Sequence, residues 1–245
     1  MSFIVPNWPV PNKVKAISST RAGGFSTGAY QGLNLGKHVG DEDSIVESNR
    51  AALSELANFP SAPVWLNQTH STRVVKVNQP TQQVLDADGV FSDNANIVCS
   101  AMTADCLPVL LTNTQGTQVA AVHAGWRGLA GGIVENAVKM FDGEVMAWLG
   151  PAIGSTAFEV GDDVLQAFID FDANAIKGFH SLKKEGKEGK WVANMELIAT
   201  QRLNRLGVTG VYASGLCTYR QPQDFYSYRR DGVTGRQASF IWLAD

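Results

Sequence analysis

The sequence predicts a mixed α/β (α+β) fold in a single domain over residues 1–245, with strands and helices interspersed. Three observations predict it. A chain of 245 residues, 44% hydrophobic, can bury one large core, and single α/β domains routinely reach this size. Short apolar runs recur from end to end, as at VKAISS (14–19), RVVKV (73–77), PVLLTN (108–113) and SFIWL (239–243). Between them lie stretches with helical periodicity, at 42–57 and from Met195 to Gly207.

In chain order, VKAISS is the first strand and runs into the Gly-rich loop TRAGGFSTGAYQGLNLGKHVGD (20–41). Long loops of this kind often carry function. Arg21 and Asn34 lie in it; the plainer reading is a solvated arginine and a turn-forming asparagine. Residues 42–57 form a helix with Asp41 or Asp43 as N-cap and Ile45, Val46, Asn49, Leu53 and Leu56 on one core-facing stripe. PVWLN (63–67) and RVVKV (73–77) are strands on either side of QTHST, a connection that lets Gln68 and His70 converge on a site. DADGVFSD (86–93) reads as turn and cap chemistry, because its aspartates lack the ligand series and closing glutamate of a calcium loop.

Residues 97–128 hold two apolar runs around a turn near Gln115 and Gly116, an antiparallel hairpin. That register brings Cys106 and His123 to the same end of adjacent strands, although a one-residue slip would reverse their facing. AGWRGLAGGIVENAVKMF (124–141) then passes from a glycine-rich connection into one helix, with Ile133, Ala137, Val138, Met140 and Phe141 buried. It matches neither a P-loop nor GxGxxG, though its exposed amides could receive an anion.

EVMAWLG (144–150) is the next strand and GDDVLQAFIDF (161–171) a short helix, whereas GFHSLKKEGKEGK (178–190), with His180, reads as a mobile surface loop. Asn194 caps a helix that Gly207 closes. GVYASG (210–215) and RQASFIWL (236–243) are the last strands. Arg229 and Arg230, beside tyrosines, divide evenly between a surface ladder and a substrate contact.

Lys plus Arg number 20 against 23 Asp plus Glu, a formal charge of -3, and no basic run forms a nucleic-acid stripe. A small anion stays open as a ligand, since one or two arginines can bind it bidentately. No secretory leader and no apolar span of about 20 residues is seen, so no membrane partner is expected. Three cysteines at uneven spacing suit reduced thiols, and a cytoplasmic protein is expected.

His70, Cys106 and His123 offer two imidazoles and a thiolate, a donor set that suits zinc with a fourth position open. Their separations of 36 and 17 residues form no compact motif. A buried cysteine with two hydrogen-bonded histidines remains the plainer alternative, and a Cys106 nucleophile with His123 as base a further one. Asp105 is the acid nearest in sequence, and its access to a site requires that TADC be irregular.

The segments SSTRAGG (18–24), LNLG (33–36), WLNQTHS (65–71), MTADCLPVL (102–110), AAVHAGWRGL (120–129), WLGPAIG (148–154), FEVG (158–161) and SYRRDGVTGR (227–236) together resemble the YfiH family. Its members carry an older label of laccase-domain polyphenol oxidase. They are described as purine nucleoside phosphorylases with adenosine deaminase activity or, in some bacteria, as peptidoglycan editing factor. The resemblance covers essentially the whole chain and implies a layered α/β sandwich, mixed β-sheets with helices on the outside, shared with deamidating toxins that use a Cys and His pair.

By resemblance the metal ligands are His70, Cys106 and His123, which with Asp105 are also the catalytic candidates, and the cofactor is zinc. Adenosine, inosine or a methylthioadenosine-type nucleoside would be the substrate with phosphate; a muropeptide, cut by a Cys-His amidase, is the alternative. Arg21 is the candidate for phosphate, with Arg229 and Arg230 in reserve, because a guanidinium fork matches phosphate oxygens. Asn34 and Gln68 complete the substrate-binding candidates. A multicopper cluster needs many more imidazoles than the 4 histidines present. A single copper held by two histidines and Cys106 near Met102 is the lesser alternative to zinc.

Overall fold

In the computed structural model, residues 1–182 and 189–245 are described. The chain begins with strands β1 (Phe3–Ile4) and β2 (Val14–Ser19), followed by helix α1 (Asp43–Leu56). Strands β3 (Leu66–Asn67), β4 (Val74–Lys76), β5 (Leu85–Asp86), β6 (Gly89–Ser92), β7 (Cys99–Thr103), β8 (Leu107–Asn113) and β9 (Val119–Ala124) come next. Helices α2 (Trp126–Gly131) and α3 (Ile133–Val138) lead to β10 (Val145–Leu149), β11 (Glu159–Gly161), α4 (Asp162–Ile169), β12 (Phe179–Ser181) and β13 (Lys190–Ala193). The chain ends through α5 (Met195–Arg205), β14 (Gly210–Ala213), α6 (Tyr228–Asp231) and β15 (Gln237–Leu243).

Two sheets carry the architecture, an antiparallel one in the order β1-β2-β15-β7 and a mixed one in the order β14-β10-β8-β9-β6-β4, whose edge pairs β10/β14 and β6/β4 are parallel. Strand alternation explains how they stack, because successive side chains leave opposite faces. From one face of the smaller sheet Ala16, Ala101, Ile241 and Leu243 meet Val90, Leu110, Ala121 and Trp148 of the larger sheet. The opposite face of the smaller sheet sends Ile17, Phe240 and Trp242 against Leu33, Leu35 and Leu53 of the Gly-rich loop and α1. The larger sheet's outer face, with Val109, Leu111, Ala120 and Val122, packs on α2 to α5 through Leu129, Val134, Leu165, Ile198 and Leu203. The result is four layers, helix, sheet, sheet and helices. All seven residues of β8 are buried, as a central strand covered on both faces requires.

Several expectations need correction. The apolar run read as one arm of a hairpin is split: β7 joins the smaller sheet and β8 the larger one. TADC is the crossover between them, irregular at Asp105, whose φ is 97°. DADGVFSD is not only turn chemistry, because β5 and β6 run through it and β6 pairs with β9. The glycine-rich connection expected after His123 is itself a short helix, α2, parted at Gly132, where φ reaches 100°, from the expected helix, which is α3. Helix α1 is capped by Glu42 without a side-chain bond, since Asp41 instead accepts from Ser26 and Asn34, and Leu56 is 44% exposed. His180 lies on β12, which pairs with β13; residues 183–188 of the expected surface loop lie outside the described residues. No helix among the described residues is long and apolar enough to cross a membrane.

Candidate metal centre and cleft

The β8–β9 register sets Pro108 opposite His123 and Leu107 opposite Ala124. Cys106 therefore leaves the strand end beside Gly125. A Cβ at Gly125 would lie 2.4 Å from His70 Cδ2 and 3.3 Å from Cys106 Sγ, so two of the three donors close around a residue that must lack a side chain. His70 arrives on an exposed loop with φ of 62°, whereas His123 is 4% exposed on a buried strand. Cys106 Sγ is 3.6 Å from His70 Nε2, and the three donor atoms all lie within 4.8 Å of one another.

Asp88 ties the two regions together. Its Oδ1 accepts from His123 Nδ1 at 2.8 Å and from the His70 amide at 2.9 Å. Its Oδ2 accepts from the Ser71 amide at 2.7 Å, the Ser71 hydroxyl at 2.6 Å and the Thr69 amide at 3.2 Å. Burial opposes its charge, but the hydrogen bonds from His123 and Ser71 prevail and hold the carboxyl down at about 2. An anion satisfying three consecutive amides also explains how non-glycine His70 is held in the left-handed region. Gln68 adds a second tether, donating to Met102 O and accepting from Met102 N, both at 2.8 Å.

Burial alone would raise the Cys106 thiol, yet the charge on His123 and hydrogen bonds from both histidines bring it down to about 6. Burial would lower His123, but the Cys106 thiolate and Asp88 lift it to about 9. Without a metal each group thus favours the charged form of the other, thiolate beside imidazolium. The donor set also fits a tetrahedral metal. Bond lengths of about 2.0 Å to nitrogen and about 2.3 Å to sulfur place neighbouring N and S donors about 3.5 Å apart, close to the 3.6 Å between His70 and Cys106. Asp88 fixes the His123 ring through Nδ1, the carboxylate–histidine arrangement common behind metal ligands, and leaves Nε2 for the ion.

The donors open on a cleft of about 300 Å³ that Gln68, Met102, Thr103, His38, Tyr228 and Arg236 also line. On the other side of Cys106 lies an apolar recess of about 130 Å³, bounded by Trp126, Ile153, Phe158, Met195, Tyr228 and Arg229. Asp105 faces this recess, with one carboxylate oxygen accepting from Thr218 Oγ1 at 2.6 Å and the other from the Arg229 amide at 2.7 Å.

The remaining candidates divide. Arg229 borders the recess, donates to Glu159 O at 2.8 Å and stacks on Phe158. Arg230 binds Asp231 and the carbonyls of Thr218, Tyr219 and Phe225. Arg21 stacks on Tyr226, donates to Pro222 O and Gln31 O, and lines a different, open cavity. Asn34 is fully buried; its Oδ1 accepts from the Gly36 and Arg236 amides, and its Nδ2 donates to Asp41. Asp88, His38 and Arg236 were not singled out from the sequence. An aspartate at the start of a strand that pairs beside a ligand histidine would have been the signal for Asp88.

The sequence model of the family described as "Multi-copper polyphenol oxidoreductase laccase" matches residues 15–244. A Haemophilus influenzae protein named "Purine nucleoside phosphorylase" is 49% identical over 99% of this chain and 100% of its own. The Escherichia coli "Purine nucleoside phosphorylase YfiH" is 48% identical over 98% of both. Among solved structures, a Neisseria meningitidis protein superposes with a TM-score of 0.92 at 44% identity over all of both chains. Bacillus licheniformis YfiH does so with 0.87 at 31% identity, over 95% of this chain and 93% of its own. With the family profile spanning the chain and relatives matching it end to end, this chain belongs to the YfiH family of laccase-domain proteins.

Proposed function

We propose that this chain, acting as one domain in the cytoplasm, is a metal-assisted purine nucleoside phosphorylase with adenosine deaminase activity at the same centre. The observation that carries the reading is the convergence of His70, Cys106 and His123 on a cleft large enough for small-molecule chemistry, in a chain whose near relatives are named purine nucleoside phosphorylases. Zinc in this site would supply Lewis acidity, polarising an oxygen or lowering the pKa of water. Copper fits less well, since the described donors supply two imidazoles and one thiolate rather than the many histidines of a multicopper cluster.

The protein's own groups have separable tasks. His123, braced by Asp88, presents one ring nitrogen in a fixed orientation, and Cys106 supplies the charge that a cation requires. Gly125 leaves room for His70 to close the triad. Asp105, engaged through both oxygens, serves by holding the start of α6, where Tyr228 lines both cavities along with Cys106. Gln68 positions the His70 loop, and Arg229 borders the recess where an apolar face of the substrate would lie. The three free thiols fit a reducing compartment.

A second reading has its own observation: Asp88 orients the His123 ring through Nδ1 while Cys106 lies within 4.8 Å of its donor nitrogen, a placement that favours a thiolate beside an imidazolium. Cys106 would attack the carbonyl of a muropeptide amide, His123 would give its proton to the departing amine, and water would release the acyl group from sulfur. A panel of adenosine, inosine and a muropeptide, run with and without chelator, separates the two. Chelation should abolish nucleoside turnover; amide cleavage that survives chelation would favour the nucleophile.

A further inference from the structure

Register explains why one arginine reaches the cleft. Gln237 on β15 pairs with Thr103 at the end of β7, so Arg236 sits beside the TADC crossover that carries Cys106. The LNLG segment grips its backbone: Asn34 Oδ1 accepts from the Arg236 amide at 2.9 Å, and the Leu35 amide donates to Arg236 O at 3.0 Å. A Cβ on Gly36 would come within 2.7 Å of Arg236 Cγ, so the arginine stem lies directly on that glycine. The same turn continues into His38, within the 3-10 segment Lys37–Val39, which lines the cleft too.

Arg236 lines the cleft itself, whereas Arg229, which donates through Nη1 to Glu159 O, borders the recess beyond Cys106, and other arginines nearby are turned to protein acceptors. Arg230 and Arg21 are bonded to carbonyls or carboxylates, and Arg50 donates through Nε and Nη2 to Leu35 O while stacked on Trp65. Arg236 differs. Its Nη1 donates to Thr234 O and Gly235 O, which fixes the guanidinium plane, while Nε and Nη2 have no hydrogen-bond partner among the described residues. No carboxylate of the described residues forms an ion pair with it. A half-buried guanidinium with one edge fixed and the other free is preorganised for a bidentate oxyanion.

We propose that Arg236 and His38 form the inorganic phosphate subsite of this centre, an assignment that rests on the phosphorylase reading. The free Nε and Nη2 edge of Arg236 takes two phosphate oxygens, and His38 donates one further N–H. Burial, then the charges of Arg236 and Arg50, hold His38 below its ordinary pKa, which leaves it a neutral donor. The bound phosphate attacks C1′ of the nucleoside: a C1′–O bond forms, the C1′–N9 bond breaks, and its electron pair leaves with the purine, which takes up a proton. The products are the base and ribose 1-phosphate. The LNLG motif thereby acquires a task, positioning rather than contact.

The test is calorimetric titration of the metal-loaded protein with inorganic phosphate and, separately, with inosine monophosphate, alongside steady-state KM values. Losing a charge-assisted bidentate contact worth about 1.5–3 kcal/mol predicts roughly 10- to 100-fold weaker phosphate binding in Arg236→Met. KM for phosphate should rise in parallel, with KM for inosine little changed, and Arg236→Lys, which also serves if the Met variant misfolds, should recover part of the loss. His38→Gln should weaken phosphate by a smaller factor. Unchanged phosphate affinity in the Arg236 variants, or binding of the nucleotide without binding of free phosphate, overturns the subsite. Phosphate binding that depends on Arg236 in a protein that turns over no nucleoside would leave the subsite standing and sink the phosphorylase reading instead.

Discussion

His123 and His70 reach one centre from opposite kinds of structure. His123 belongs to β9, six consecutive buried residues between β6 and β8, so packing on both faces fixes it before any polar contact is considered. His70 stands on an exposed loop in a left-handed conformation, and hydrogen bonds to Asp88 hold it there. A strand thus supplies rigidity through apolar burial, whereas a loop needs an anchoring anion. Asp88 serves both ligands because β6 pairs with β9 on one side and receives the QTHS loop on the other.

The loop side should break most easily. Gly125→Ala would set a methyl 2.4 Å from His70 Cδ2, and since His70 is exposed it should swing away without unfolding the protein. A loss of about 1000-fold in metal affinity, roughly 4 kcal/mol, with a Tm within a few degrees of wild type, is the expected result of a metal titration and a thermal melt. The strand side should behave in the opposite way. Leu111→Ala, at a fully buried position on β8, should lower stability by about 2–5 kcal/mol in denaturant unfolding, while metal affinity in the folded protein stays nearly constant.

Asp88→Asn addresses the link itself. Loss of a carboxylate behind a ligand histidine lowers metal affinity by about 10- to 100-fold, and stability should fall as well, because a neutral amide cannot accept from three backbone amides and His123 alike. The wild-type carboxyl lies at about 2 against an ordinary 3.8. A depressed carboxyl stabilises the fold fully above its unfolded pKa, so this contribution is present above about pH 4 and is lost as pH falls towards 2. Acid unfolding of Asp88→Asn should lack that component.

The mildest perturbation is pH alone. With the Cys106 thiol at about 6 and the His123 imidazolium at about 9, the charged pair persists between those values. In metal-free protein, alkylation of Cys106 by iodoacetamide should reach half its maximal rate near pH 6. A midpoint near the ordinary thiol value would show that the imidazolium does not support the thiolate.

The terminal strand, the helix after Asn194 and its cap could be read from local pattern, whereas the layering came with the family resemblance. The three donors could be read from residue type and family motif. The sheet switch at TADC could not, since β7 and β8 are both wholly buried strands and their partners, β15 and β9, are what assign them to different sheets. Asp88 escaped because a strand-initiating aspartate looks like a turn residue until β6 is paired beside His123. Arg236 escaped for a similar reason: four arginines, Arg21, Arg229, Arg230 and Arg236, flank the turns of the first and last segments, and the Gln237–Thr103 register selects the one beside the crossover that carries Cys106.

The central claim, a metal held by His70, Cys106 and His123 that serves nucleoside phosphorolysis, is tested most directly by measuring metal stoichiometry and inosine turnover together in wild type and Cys106→Ala. The account predicts about one metal per chain, with ribose 1-phosphate formed in step with hypoxanthine and only when phosphate is present, and loss of both in the variant. Purified wild-type protein that cleaves inosine without metal, or releases base without consuming phosphate, would contradict it.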